Sequence, residues 1–140
     1  MRRFVVIVVA LAFTACAIKQ EVRPVGLAER GDKRLCIREN PDVKRGFLET
    51  YRSRVESKGF TVTLLGPDAP VTACPLTSTY TANWRWDLLL YMAYAEILVY
   101  RNGEVAGRAT YDSLGGGGRL DKFISAATKI NELVDQLFPG

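Results

Sequence analysis

Residues 34–65 read RLCIRENPDVKRGFLETYRSRVESKGFTVTLL and decide the fold that we expect for this chain. Segments 34–38 and 60–65 are short and rich in β-forming residues, so each predicts a strand. Between them, apolar residues recur at every fourth position and predict one buried helical stripe, formed by Val43, Phe47, Tyr51 and Val55. A strand–helix–strand unit of this kind is expected to pair its strands in parallel through a right-handed crossover.

Local signals predict where this helix begins and ends. Asn40 is a favoured N-cap, Pro41 suits the first helical position, and Asp42 complements the positive end of the helix dipole. Gly59 is placed to end the helix in the left-handed conformation, which glycine adopts without steric cost. We therefore expect the helix to begin at Pro41 and to end just before Gly59.

A loop over 66–76 is followed by a long segment, from Thr77 to Arg101, that contains neither Gly nor Pro. Because that length exceeds a typical strand, we expect a break near Asp87, with one strand over 80–86 and another over 90–101. Leu, Met, Ala and Glu are frequent in the middle of the segment, so a helix over 86–96 is the alternative.

Asn102-Gly103 is the preferred residue pair of a type I′ hairpin turn. Folding the chain about this turn pairs residues whose numbers sum to 205, so that Arg101 faces Glu104. In that register one face of the hairpin is the more apolar, and we expect it to face the core. Its members are Tyr94, Leu98, Tyr100, Val105, Ala109 and Tyr111.

The C-terminal segment 121–138 predicts a second helix, capped by Asp121, with one apolar seam. The seam consists of Phe123, Ala127, Ile130, Val134 and Leu137. Together these elements predict an α+β fold, a two-layer sandwich in which four or five strands carry two helices on one face. The strand–helix–strand unit comes first in the chain, and the antiparallel hairpin at 102–103 and the C-terminal helix follow.

The N-terminal segment has the three parts of a secretory signal peptide. Two arginines follow Met1, residues 4–13 are apolar, and small residues lead to Cys16. The apolar stretch is too short for a membrane-spanning helix, which needs about 20 residues. We therefore expect residues 1–15 to be a cleaved signal peptide, and an uncleaved short anchor is the alternative.

Phe13-Thr14-Ala15-Cys16 resembles the lipobox of bacterial lipoproteins, with Phe13 in place of the usual aliphatic residue. The resemblance implies that Cys16 carries the lipid and becomes the first residue of the mature chain. Several acyl chains on one cysteine give stable anchoring. Lipoproteins retained at the inner membrane often have Asp after this cysteine, whereas Ala17 follows here, so the resemblance implies the periplasmic face of the outer membrane.

Residues 16–33 show no hydrophobic period, and we expect a lipidated N-terminus followed by a flexible tether. Residues 34–140 then form a single periplasmic α+β domain, large enough for one core. Removing Arg2 and Arg3 with the leader leaves 17 Lys+Arg against 15 Asp+Glu, a net charge of +2. We therefore expect no nucleic-acid partner.

Two cysteines remain besides Cys16. In an oxidising compartment, Cys36 and Cys74 are expected to form a disulfide, and a pair of buried free thiols or a reactive thiol are the alternatives. The chain has no His, which excludes Ser-His-Asp and Cys-His nucleophiles and every His metal ligand. We expect no metal, no cofactor and no catalytic residue.

Trp84 and Trp86 share one face of the strand expected over 80–86. One interpretation is an aromatic surface that contacts a sugar or a peptide, and the other is a pair of core tryptophans. Both residues are candidate ligand or partner contacts on the first interpretation.

Glu96 is the third candidate contact. In the expected register it lies on the apolar face of the hairpin, where a carboxylate needs a partner or a shifted pKa. Pairing with Asp87 or Asp112 would suggest the carboxylate pair of a glycosidase. Pairing with an arginine would make it structural.

Several motifs resemble those of a family of small, uncharacterised lipoproteins of Gram-negative bacteria. They are Trp84-Arg85-Trp86-Asp87, Ala95-Glu96, Asn102-Gly103, Tyr111-Asp112 and Lys122-Phe123. The resemblance implies a lipobox signal peptide and one periplasmic α/β domain, and it implies no catalytic residue. We expect a non-enzymatic binding or scaffolding module that contacts an envelope protein or a cell-wall component. The alternative is a periplasmic domain that binds a small ligand or glycan through the Trp84/Trp86 region.

Overall fold

The computed structural model describes residues 17–26 and 33–140. They form six strands and two α-helices, with short 3₁₀ turns at Leu114–Gly116 and Leu120–Phe123. The elements are β1 (Lys19–Arg23), β2 (Arg34–Arg38), α1 (Arg45–Ser57), β3 (Thr61–Leu65), β4 (Leu76–Asp87), β5 (Leu89–Arg101), β6 (Glu104–Asp112) and α2 (Ala126–Leu137). The expected α+β class is confirmed. The leader and Cys16 lie outside the described residues.

All six strands belong to one mixed sheet in the order β1-β6-β5-β4-β2-β3. β2 is parallel to both β3 and β4, and the other pairs are antiparallel. The strand–helix–strand unit is thus confirmed with parallel strands. The expected count of four or five strands was too low, because β1 lies in a segment that shows no period in the sequence.

One core lies between the sheet and the two helices. The predicted stripe of α1 is buried, and Phe47 stacks on Tyr80 of β4 with ring centroids 5.1 Å apart. α2 contributes Ile130, Leu133, Val134 and Leu137 to the same core. The two helices also contact each other directly. Arg54 of α1 makes a bidentate ion pair with Asp135 of α2, with N–O distances of 2.8 and 2.6 Å.

The expected core face of the β5–β6 hairpin was largely wrong. Tyr100 pairs with Val105 as expected, but Val99 pairs with Gly107, so Ala106 is an extra, unpaired residue. Such a bulge shifts the register by one residue and moves the following side chains to the other face. Ala109 and Tyr111 therefore lie opposite Ile97 and Ala95, and the buried face of β5 is the one that carries Ala95, Ile97 and Val99. Of the predicted set, Ala109 and Tyr111 are buried, Val105 is exposed, and Tyr94, Leu98 and Tyr100 are only half-buried on the opposite face.

Both helices begin later than expected. Asn40 donates its side-chain amide to the Tyr80 carbonyl and accepts the Asp42 N–H on Oδ1, which holds residues 40–42 as a turn before α1 begins at Arg45. Asp121 belongs to a 3₁₀ turn, and Ser125 caps α2 instead by accepting the Thr128 N–H at 3.2 Å. Gly59 has φ +91°, which agrees with its predicted role at the end of α1.

The expected tether is wrong over residues 19–25. Lys19–Arg23 form β1, which pairs with β6. Val25 is buried, donates its N–H to Leu137 O at 2.9 Å, and lies so close to Gly107 that any side chain there would clash with it. Tertiary contacts, rather than an alternating pattern, therefore place this segment in the fold. Residues 27–32 lie outside the described part.

The disulfide between Cys36 and Cys74 is confirmed. It joins the middle of β2 to the loop that leads from β3 to β4. Arg38, on the same face of β2, donates to Ala69 O at 3.2 Å and fixes the loop at a second point. The loop is therefore held across the sheet face that lies opposite the helices.

Candidate functional site: the apolar end of the sheet

β4 and β5 extend beyond their neighbours and end in an exposed apolar tip. Asp87 pairs with Leu89, and the turn between them consists of Leu88 alone, at φ +64°. Trp86 is 73% exposed and Leu88 81% exposed, and Leu89 and Leu90 are also mostly exposed. A leucine in the left-handed region is strained as well as exposed, and such strain is concentrated at functional positions.

The segment 114–123 lies beside this tip. Its Phe123 ring contacts the Tyr91 ring of β5 edge to face, with centroids 5.5 Å apart. Leu114 is about half exposed and Leu120 is 80% exposed, so the segment adds two further leucines to the same end of the molecule. We call this end, formed by Trp86, Leu88, Leu89, Leu90, Leu114 and Leu120, the apolar end.

Lys122 holds the segment against the tip. Its side chain is almost fully buried, and its ammonium donates to Asp87 Oδ2 at 2.6 Å and to Gly117 O at 2.5 Å. The same ammonium lies 5.3 Å from the centre of the Tyr91 ring and 5.2 Å from that of Phe123. A lysine buried in this way joins two segments that share no backbone pairing. No sequence pattern indicated this role.

The described chain begins at this same end. Lys19 pairs with Asp112, the last residue of β6, and Ala17 precedes β1 beside the first 3₁₀ turn. A Cβ atom at Gly115 would lie 3.0 Å from the carbonyl oxygen of Ala17, and one at Gly116 would lie 3.2 Å from Ile18. A side chain at either glycine would therefore require Ala17 or Ile18 to shift by a few tenths of an ångström, so this turn is closely packed against the first described residues.

The two tryptophans lie in different environments. Trp84 is half-buried against the core, and Lys44 Nζ lies 5.6 Å from the centre of its ring. Trp86 is mostly exposed to solvent. The two rings therefore differ in exposure, and Trp86 is the more accessible of the two.

Glu96 lies on the sheet face opposite the helices, half-way along β5. Its carboxylate accepts bonds from the Arg108 guanidinium at 2.6 and 3.1 Å and lies 3.4 Å from the Tyr94 hydroxyl. The bond to Glu96 raises the pKa of Arg108. The partner of Glu96 is thus an arginine, whereas Asp87 is bonded to Lys122. The structure does not bring Glu96 together with the tryptophans.

Among the described residues, no three Cys, Asp or Glu side chains are grouped so that they could hold a metal ion. None of the helices in residues 17–26 and 33–140 is long and apolar enough to cross a membrane.

No known protein family and no curated protein matches the chain by sequence. Among solved structures, the chain is similar to a point variant of PelC from Paraburkholderia phytofirmans, a dodecamer, with 16% identity and a TM-score of 0.51. That likeness covers 86% of this chain and 94% of the PelC chain. A second PelC dodecamer from the same organism gives 16% identity and a TM-score of 0.49 over 84% and 92% of the two chains. The first likeness shows a shared fold.

Proposed function

We propose that the protein is a lipoprotein anchored at the periplasmic face of the outer membrane through Cys16, and that its domain is a non-enzymatic binding or scaffolding module of the cell envelope. The observation that supports this most is the position of Ala17, which lies against Gly115, next to Leu114 of the apolar end. A lipid on Cys16 would then emerge on the same side of the sheet as the apolar end, so that both contact the same bilayer.

The chemistry of this end suits a bilayer interface. Burying one large apolar side chain contributes about 1.5–3 kcal/mol, so a few of them add substantially to the acyl chains. Tryptophan is favoured at the level of the headgroups. An exposed cluster of leucines is costly in water and requires a covering surface. A domain joined to its lipid by so short a segment would lie directly on the membrane.

The lipid itself is tested by mass spectrometry of the protein from its native host. We expect cleavage before Cys16 and acylation of that residue. An unmodified Cys16 or a retained leader would overturn the proposal.

The orientation is tested with the lipidated protein in vesicles that contain brominated phospholipids. Trp84→Phe leaves Trp86 as the one tryptophan in the chain, and we expect its fluorescence to be quenched by the bromine atoms. Replacing Leu89 by Ser should reduce this quenching. Val105→Ser, an exposed apolar position at the other end of the sheet, is the matched control and should leave it unchanged.

The module's partner is tested by crosslinking in cells. If the domain is a binding or scaffolding module, a reproducible envelope component is crosslinked to it, or a second copy, since the similar PelC chain is a dodecamer. Repeated failure to recover either would count against this role.

The second candidate is glycan binding through Trp86, and its exposure is the observation that favours it. A sugar stacked on the ring would shift the emission of Trp86 in the protein held in detergent micelles. If glycans leave the emission unchanged while brominated lipids quench it, the membrane contact is supported and the glycan contact is not.

A further inference from the structure

A crevice lies where the parallel strands β2 and β3 end. After β2 the chain turns to the helix side and enters α1, whereas after β3 it crosses the opposite face, where Arg38 and the disulfide hold the loop. Adjacent connections that leave a sheet on opposite faces open a crevice at the carboxyl ends of the strands, which is where ligands bind in α/β sheets.

The crevice is large enough for a small molecule. Its main cavity has a volume of about 330 Å³, and a neighbouring cavity of about 270 Å³ shares Glu39, Asn40, Pro41, Pro67 and Tyr80 with it. This size is at the lower end of small-molecule sites. The aliphatic side chains of Val43 and Leu48 form an apolar wall of the main cavity.

The walls are fixed before any ligand binds. The Asn40 N–H donates to the Tyr80 hydroxyl at 3.0 Å, and the Asn40 amide donates to the Tyr80 carbonyl at 3.0 Å. The Glu39 N–H donates to Leu65 O at 3.0 Å, which ties the residue to the end of β3. A site held in this way loses little conformational entropy on binding.

Three polar groups of the main cavity remain available. Tyr80 is 94% buried, its hydroxyl accepts from Asn40, and no described residue accepts its hydrogen. The Glu39 carboxylate has no hydrogen bond or ion pair with the described part of the chain. The Arg45 guanidinium has only an exposed, 3.9 Å contact with Glu49. Burial raises the pKa of Tyr80, partly offset by the Asn40 bond and reinforced by the Glu39 charge, so its hydroxyl keeps the hydrogen that it can donate.

We propose that this crevice binds a free amino acid, with its ammonium group at Glu39 and its carboxylate at Arg45 and the Tyr80 hydroxyl. A simple cation would make no use of Arg45 or of the Tyr80 donor, and a simple anion would face the Glu39 carboxylate. A zwitterion satisfies both signs with charge-assisted hydrogen bonds, and an aliphatic side chain fits Val43 and Leu48. This site is separate from the apolar end and does not depend on the membrane anchor.

The test is a calorimetric titration of the full lipidated protein in detergent micelles with L-leucine, N-acetyl-L-leucine and L-leucinamide. The second compound lacks the ammonium group and the third lacks the carboxylate, so we expect the affinity of each to be at least about tenfold lower than that of leucine. Equal binding of all three, or no binding of leucine at millimolar concentration, would overturn the proposal. Tighter binding of a neutral monosaccharide would overturn it in favour of hydroxyl recognition.

Variants assign the groups. Glu39→Gln should lower the affinity for leucine about tenfold. It should leave the weak binding of N-acetyl-L-leucine unchanged, because that compound has no ammonium group that could contact Glu39. Arg52→Gln, on α1 but away from the cavity, is the control and should change neither. Since Glu39 is exposed, its variant is expected to fold, and a loss of binding to all three compounds would contradict the assigned role.

Discussion

The Lys122 ammonium and the Asp87 carboxylate lie 2.6 Å apart and join two parts of the apolar end that have no other polar contact in the described structure. The two partners differ in burial: the Lys122 side chain is almost buried, while more than half of the Asp87 side chain is exposed. Lys122 also satisfies the carbonyl of Gly117. We therefore expect the two partners to differ in their importance for stability.

Replacing Lys122 by Met is expected to lower the free energy of unfolding by about 1–3 kcal/mol, because Gly117 O and Asp87 both lose their donor. Asp87→Asn should cost less, since water reaches that side chain. Urea denaturation measures both values. Arg119→Gln removes an exposed pair with Asp121 and should change the free energy by less than about 0.5 kcal/mol. Equal losses for Lys122→Met and Arg119→Gln would contradict this account.

Tyr51 is expected to make the fold sensitive to alkaline pH. Its hydroxyl is fully buried and bonds Ser78 Oγ at 2.7 Å, and burial raises its pKa well above the ordinary value. The unfolded chain therefore releases this proton first, so the contribution of Tyr51 is complete below about pH 10 and is lost as pH rises further. The slope is at most about 1.4 kcal/mol per pH unit.

The effect is tested by urea denaturation at a series of pH values between about 9 and 12, which bracket the ordinary tyrosine pKa. Tyr51→Phe should be less stable by about 1–2 kcal/mol at neutral pH, because Ser78 Oγ loses its bond to Tyr51 and keeps the one that it donates to Leu98 O. It should also show a shallower decline above pH 10, by the same linkage. A decline identical to that of the unaltered protein would assign the alkaline loss to other groups.

The disulfide is expected to stabilise the fold mainly by restricting the unfolded chain. Its cysteines are 38 residues apart, and closing such a loop contributes about 4 kcal/mol. The double variant Cys36→Ser/Cys74→Ser should lose an amount of this order in urea denaturation. Cys16→Ser provides the control, since it removes one cysteine of the chain and leaves the bridge. If the double variant unfolds at the same urea concentration as the control, the loop is held by other contacts.

The sequence predicted the elements whose signal is local. Arg34–Arg38 matches β2 at both ends, and the break expected near Asp87 falls at Leu88. The helix considered over 86–96 is wrong, because this segment is strand on both sides of the break. Gly59 has the expected positive φ.

Features set by distant contacts were missed. One unpaired residue of β6, Ala106, changes which side chains of β6 share a face with those of β5, and no local pattern of charge or hydropathy marks it. Val25 enters the core only because Gly107 leaves room for it. Asn40 is diverted from capping by its two bonds to Tyr80, which is distant in the sequence. The crevice depends on the same bonds, so residue patterns alone could not predict it.

At the tip of the β4–β5 hairpin, one substitution at Leu88 is expected to stabilise the fold and to weaken membrane contact. Leu88 has φ +64°, a conformation that costs a leucine about 1–2 kcal/mol and glycine almost nothing. Leu88→Gly should therefore raise the free energy of unfolding by up to about 1 kcal/mol, after the entropy cost of glycine. The same change removes the most exposed leucine of the apolar end, so quenching of Trp86 by brominated lipids should decrease.

The control for this variant is Asn102→Gly, at a residue with φ +49° in the hairpin turn at the other end of the sheet. Asparagine tolerates this conformation, so we expect a change in unfolding free energy of only a few tenths of a kcal/mol and unchanged quenching. If Leu88→Gly is more stable and Trp86 is still fully quenched, the strained leucine serves no membrane contact. In that case a protein partner, rather than lipid, is the surface that covers it.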